Sequence, residues 1–301
     1  MPHVDNFRYD TATLISQGRR ERQEDAIISD FPTGSQMGFV VLADGMGGHD
    51  AGDVASKIVV TEVFSELKLR SGDPDLMEAH IGEVLHEAAH GANDCVSAFS
   101  DDRDDDSVMG ATLLAPVLIE DRLFWISVGD SPLYLMRDGV LRRLNEDHAI
   151  GSQIDYLVTS GLMRRDEAEN YPDQNCLTSV IVGREIPQID CPDTPFQLVE
   201  GDILIAASDG LLVLSDERIA EIIRPVQKFS SEAIGAAIMG EIEALDDPHQ
   251  DNVTFCVVKV LGQQTASIHP REAGARARMF TRREGSVTIV ASVSGAASAA
   301  G

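Results

Sequence analysis

Apolar residues fall along the chain in two rhythms, short dense runs and wider helical repeats. Residues 9–17 (YDTATLISQ), closed by Gly18, and the stretch beginning at Ala26-Ile27-Ile28 read as the first strands. Val40-Val41-Leu42-Ala43 is a third, and it stops at Asp44 and the turn Gly45-Met46-Gly47-Gly48-His49. From Asp50 to Arg70, Val54, Ile58, Val59, Val63 and Leu67 recur at helical spacing, with Ala51 and Gly52 allowing close packing at the start. A second helix is predicted from Asp73-Pro74 to about Phe99, with Leu76, Ile81, Val84, Leu85 and Ala88 on one face. The acidic run 101–106 that follows reads as an exposed loop.

The rhythm changes after residue 108. Met109 to Leu114, Leu123 to Val128 and Leu133 to Met136 read as strands with short turns, and Asp138-Gly139 is a hairpin signal leading to Val140-Leu141. Hairpins after two helices argue against a doubly wound parallel sheet. Residues 145–176 are irregular and partly helical (153–160 and 165–170), a flap over a site or an insertion. Leu177 to Gly183 resumes strand character. The run from Gly201 to Ala207 predicts a buried strand ending at Ser208-Asp209-Gly210, helices are expected over 219–223 and 233–245, and Asp251 immediately precedes a strand over 253–258.

Four aspartates, Asp44, Asp130, Asp209 and Asp251, therefore stand at strand termini. A carboxylate at a sheet edge beside glycines suits a hard divalent cation, which takes oxygen ligands and accepts a closely approaching backbone carbonyl. Any one of these is equally a strand followed by a tight turn. Between the first two strands, Arg19, Arg20 and Arg22 crowd against Glu24 and Asp25. Such a cluster is a surface salt-bridge network or a guanidinium fork for an oxyanion beside acids that hold metal-bound water.

Composition narrows the function. At 301 residues the chain has ample length for a core, and 43% hydrophobic with 25% charged residues is ordinary for a globular protein. The balance of 50 acids against 24 bases, a net charge of −26, disfavours nucleic-acid binding because a phosphate backbone would be repelled. Cys95, Cys176, Cys191 and Cys256 form no Cys-x-x-Cys pair, so neither a zinc site nor a disulfide framework is implied. No signal-peptide pattern and no apolar run of membrane-spanning length is visible, and a cytoplasmic setting is expected. Residues 263–301 lose the pattern: a locally basic patch gives way to an Ala/Ser/Gly-rich stretch, expected to be a mobile or weakly docked tail after a folded domain spanning 1–262.

The aspartates come in a recognisable order. Arg20 with Glu24-Asp25, Ala43-Asp44-Gly45-Met46-Gly47-Gly48-His49, Gly110-Ala111-Thr112, Gly129-Asp130-Ser131, Leu177-Thr178, Ser208-Asp209-Gly210 and Asp251-Asn252 together resemble the bacterial type-2C metal-dependent protein serine/threonine phosphatases, from about Leu14 to Val260. The resemblance implies an α+β fold, a four-layer α/β/β/α sandwich with two central antiparallel sheets flanked by helices. It implies two manganese or magnesium ions at one end of the sandwich, with a third, weaker position. Asp44 would bridge the metals, the Gly45 carbonyl would ligate one, Asp209 and Asp251 would complete the other, and Glu24 and Asp25 would act largely through water. Asp130 with Asp209 matches the third position. Arg20 would hold the phosphate, and His49 aligns with the histidine proposed as general acid for the leaving alkoxide.

By the same resemblance, water bridging the metals attacks phosphoserine or phosphothreonine in line, and the partners are phosphoproteins made by a cognate serine/threonine kinase. The chain departs from the family at Ser131-Pro132, where Gly-Asp-Ser-Arg is common, and at Gln23, where bacterial members often carry asparagine. The alternative from another class is a catalytically silent phosphatase-like regulatory binding module. A plain calcium-binding surface protein is a third reading.

Overall fold

Neighbouring residues of the central strands face different cores, and this alternation builds the molecule. In the computed structural model, which describes residues 7–32, 35–47, 51–101, 109–169, 171, 176–263 and 286–290, two antiparallel sheets stack face to face. One sheet runs in the order β1 (Phe7–Ser16), β11 (Val253–Gln263), β10 (Ile203–Ala207), β7 (Leu133–Arg137), β8 (Val140–Arg143). The other runs β12 (Ser286–Val290), β2 (Asp25–Phe31), β3 (Met37–Gly47), β5 (Leu113–Ile119), β6 (Arg122–Val128), β9 (Phe196–Gln197), with the short β4 (Met109–Ala111) also on β3.

Val40 and Leu42 of β3 meet Leu204 and Ala206 of β10 and Cys256 and Val258 of β11 between the sheets. The intervening Phe39, Val41 and Ala43 turn outward onto α1 (Ala51–Arg70), α2 (Pro74–Ala79) and α3 (Ile81–Asp101), where Val59, Val63, Leu85 and Ala89 complete a second core. On the far side Ile203, Ile205, Phe255 and Val257 pack beneath α6 (Asp216–Val226) and α7 (Ser231–Leu245), against Ile219, Ile223, Ile234 and Ile238. Strands buried on both faces read as unbroken apolar runs, which is why 40–43, 203–207 and 255–258 stand out in the sequence. The expected α/β/β/α order of layers is present.

Four expectations about elements change. The strand through Val40–Ala43 does not stop at Asp44 but runs on to Gly47, because Gly45, Met46 and Gly47 pair with Ala111, Gly110 and Met109 of β4. The single helix over 74–99 is two, because the chain breaks at His80 between α2 and α3. The expected strand from Met109 to Leu114 divides into β4 and β5 at Thr112. Leu177 to Gly183 makes only isolated bridges, Ala149↔Leu177 and Ala111↔Ile181. Its Ser179 hydroxyl donates to the Gln188 carbonyl at 2.6 Å and accepts from the Gln188 N–H at 3.1 Å, and such local bonds compete with a sheet ladder.

Between β8 and β9, α4 (Ile150–Thr159) and α5 (Arg165–Glu169) make the irregular excursion anticipated over 145–176. Part of the C-terminal tail is placed: β12 pairs antiparallel with β2, Ser286 opposite Phe31 and Val290 opposite Ile27. Among the described residues no helix is long and apolar enough to cross a membrane.

Candidate metal centre

Strand parity sets the site. Asp44 follows Leu42 by two positions and Asp25 precedes Ile27 by two, and both those neighbours face the core between the sheets. The register pairs Asp25 directly with Asp44, so their carboxylates stand side by side at the end of the inter-sheet core. From the opposite sheet, β10 runs out at Ala207 into Ser208 and a short 3-10 helix starting at Asp209, and Asp251-Asn252 leads into β11. The start of β2, the end of β10 and the start of β11 thus meet Asp44 of β3 at one mouth of the sandwich.

A second layer of bonds fixes the mouth. The Ser208 hydroxyl donates to Asp25 Oδ2 at 2.8 Å and accepts from the Thr254 N–H at 3.0 Å. Asn252 Oδ1 accepts from the Glu24 N–H at 2.7 Å, and its Nδ2 donates to the Gln17 and Arg22 carbonyls at 2.9 and 2.8 Å. One side chain thereby staples both ends of the 17–24 loop to the start of β11. Thr112 Oγ1 accepts from the Asp44 N–H at 2.9 Å, the Thr112 N–H donates to the Asp44 carbonyl at 2.8 Å, and the Thr112 and Ser131 hydroxyls bond at 2.9 Å. That clamp on Asp44 is what divides β4 from β5. Gly45 is held against the 24–25 chain by its N–H on the Glu24 carbonyl at 3.1 Å, and a Cβ there would lie 2.1 Å from the Gly52 carbonyl oxygen. Only glycine allows that approach.

The electrostatics are those of crowded acids. Burial raises the Asp44 carboxyl well above its usual range, and the charges of Asp25 and Asp209 raise it further. Asp44 keeps part of its surface open, but protein encloses it densely enough for desolvation to dominate. Asp25 is pushed up to about 7 by burial, against the hydrogen bonds from Thr254 and Ser208 that favour its charged form. Asp130 is also pushed up to about 7, first by burial and then by Asp209 and Asp147. Burial raises Asp209 and Glu24 as well; Asp209 is relieved by a hydrogen bond shared with Asp44, and Glu24 by the charges of Arg20 and Arg22. Arg20 donates to Asp251 Oδ2 and is held charged by that bond. Arg19 turns away to Asp246.

The structure therefore brings Glu24, Asp25, Asp44, Gly45, Asp130, Asp209, Asp251 and Arg20 to one end of the sandwich. His49 lies outside the described residues. Among the described residues no three His, Cys, Asp or Glu side chains are already drawn into a metal cage. Asp44 instead shares a hydrogen bond with Asp209, and Asp251 pairs with Arg20. The donor set nonetheless fits a hard divalent ion: it is all oxygen, and Asp25 Oδ1 is buried without a hydrogen-bond partner. Ser208, Thr112 and Asn252 carry much of the positioning. They lie within the motifs Ser208-Asp209-Gly210, Gly110-Ala111-Thr112 and Asp251-Asn252, where the acids alone suggested chemistry.

Comparison with known proteins agrees with this architecture. Residues 17–239 match the family described as Protein phosphatase 2C. The chain is 31% identical over 221 residues to the serine/threonine phosphatase stp of Listeria monocytogenes, covering 73% of this chain and 84% of that protein. It is 31% identical over 241 residues to the serine/threonine protein phosphatase PstP of Mycobacterium tuberculosis, covering 79% of this chain and 43% of PstP. The solved serine/threonine phosphatase of S. agalactiae superposes with a TM-score of 0.71 at 28% identity, over 84% of this chain and all of that one. The PstP catalytic domain solved with 2 manganese ions superposes with a TM-score of 0.65 at 28% identity, over 85% of this chain and 100% of that one. A family match across most of the chain, on a sandwich whose strand ends gather the acids a metal needs, identifies the chain as a member of the protein phosphatase 2C family.

Proposed function

We propose that the protein is a metal-dependent serine/threonine phosphatase in which Asp44, at the mouth of the inter-sheet core, bridges two manganese or magnesium ions. The observation that carries this is the convergence of acids carried by β2, β3, β10 and β11 on one place, with one arginine among them. The Gly45 carbonyl, Asp209 and Asp251 would complete the ligands, Glu24 and Asp25 would act through water, and Asp130 with Asp209 would offer a third, weaker position. When bound, divalent cations lower the pKa of a water and offset charge on the phosphoryl group.

The protein's own residues do the rest. Ser208 and Thr112 hold Asp25 and the Asp44 backbone in register, so the ligands need little rearrangement. Arg20, bonded to Asp251 at the edge of the acids, would offer its guanidinium fork to the phosphate. His49, directly after the glycine turn, protonates the leaving serine or threonine oxygen. No thiol nucleophile is needed, consistent with Cys256 being fully buried and its thiol pushed up to about 12 by burial.

Residues 1–262 form the catalytic unit and 263–301 an appended tail. The substrates are phosphoproteins produced by a serine/threonine kinase in the cytoplasm. Hydrolysis of a phosphothreonine peptide with and without manganese tests the reading. Manganese-dependent phosphate release is expected, and none at any metal concentration would sink it.

A further inference from the structure

Beside the acids, a cleft of about 580 Å³ opens beneath α4 and carries a polar group with nothing to bond. His148 is 2% exposed. Its Nδ1 accepts from the Gly129 N–H at 3.1 Å, while its own N–H donates to the Gly129 carbonyl at 3.1 Å. An Nδ1 that accepts carries no proton, so the neutral ring holds its proton on Nε2. That Nε2 has no hydrogen-bond partner, and the Glu146 carboxylate lies 3.9 Å away, beyond hydrogen-bonding reach. A buried donor in that state costs stability unless a ligand or water completes it.

The rest of the cleft states what chemistry would complete it. Glu146, Asp147, Ser152, Tyr156 and Gln188 share its lining with His148, and among the described residues no Lys or Arg does. Glu146 is largely exposed and Tyr156 is 69% exposed, so a carboxylate and an aromatic ring face solvent together. The wall is joined to the candidate metal centre: Arg143 donates to the Asp130 carbonyl at 2.7 Å and to Asp147 Oδ2 at 2.9 Å, and Ser152 donates to the same Oδ2. Gly129, which His148 grips on both sides of its peptide, immediately precedes Asp130. The cleft is thus tied through Gly129 and Arg143 to the backbone on either side of Asp130.

We propose that the cleft between His148 and α4 is a subsite for a basic residue flanking the phosphorylated serine or threonine. Glu146 pairs with the cation, the Tyr156 ring lies against it, and His148 Nε2–H donates to a backbone carbonyl of the substrate. The proposal rests on the phosphatase reading and gives its substrates a chemical class, segments with arginine or lysine near the phosphate.

The test uses the full chain with manganese and phosphothreonine peptides in which one arginine is stepped through the flanking positions. At one position arginine is expected to raise kcat/KM about fivefold over alanine, the scale of one exposed ion pair aided by an aromatic face. Glu146→Gln and Tyr156→Ala each reduce that arginine-to-alanine ratio. Glu146→Lys, a change at an exposed position that leaves packing intact, shifts the preference to glutamate at the same position. Peptide turnover that ignores arginine at every position, or a ratio unchanged in all three variants, overturns the subsite alone. Silence toward every phosphopeptide overturns the phosphatase reading and the subsite with it.

Discussion

Asp25 and Asp44 stand directly opposite one another on adjacent strands, both facing the inner core of the sandwich. Like-charged cross-strand pairs destabilise a sheet, and burial magnifies the effect. The protein tolerates the pair because the site it builds needs it. Asp44→Asn is therefore expected to separate stability from function. Manganese-dependent turnover falls by about 100-fold or more, as loss of a shared metal ligand demands, while the metal-free variant melts at or above the wild-type temperature. Near-normal rates would remove Asp44 from the bridging role.

Metal removal makes stability depend on pH in a defined direction. Asp25 and Asp130 titrate near 7 in the fold, against about 4 in an unfolded chain. Between those values the folded protein binds more protons than the unfolded one, so its stability falls as pH rises through the window. Manganese displaces the same protons, so its stabilisation grows with pH. Thermal melts with chelator and with manganese, at about pH 5.5 and about pH 8 on either side of the folded values, read both trends. A chelated protein that becomes more stable across that range would contradict the crowding of these acids.

Arg20 is expected to act on binding more than on turnover. Arg20→Ala removes the phosphate fork and raises KM for a phosphopeptide more than it lowers kcat. The same variant frees Asp251 from its ion pair, so manganese should bind at least as tightly, measured by calorimetry without substrate. An unchanged KM would pass the role to Arg22.

Asn252 holds the 17–24 loop by three hydrogen bonds with little exposure to water. Asn252→Ala leaves the Glu24 N–H and two carbonyls without their partner and should cost about 3 kcal/mol, near 1 per bond. Denaturant unfolding measures it. A loss under about 0.5 kcal/mol, the level of an ordinary surface change, would mean the loop is held by other means.

The parts of the site legible in sequence are those where one strand face decides the outcome. Val40 to Asp44 and Ile203 to Asp209 show their burial on both faces as unbroken apolar runs, so the acid at each end is conspicuous. Less visible were the features made by side chains that bond to distant backbone. Thr112 splits a strand because it clamps Asp44, 68 residues away, and Ser179 curls a segment whose composition reads as strand. Asn252 and Ser208 stand within the motifs, but their work lies in bonds to residues 228 and 183 positions distant. His148 gave no periodic signal, since its importance comes from the Gly129 peptide it grips. His49 has the right neighbours in sequence and lies outside the described residues.

The pairing of Ser286–Val290 with β2 makes an interior strand of the one that begins at Asp25. Without that cover, β2 would be an edge presenting an open row of amide and carbonyl groups beside the acids, a template for strands of other molecules. The C-terminal segment thus acts as a built-in guard against self-association. A chain ending at residue 262 should associate in a concentration-dependent way by sedimentation where the full chain stays dispersed.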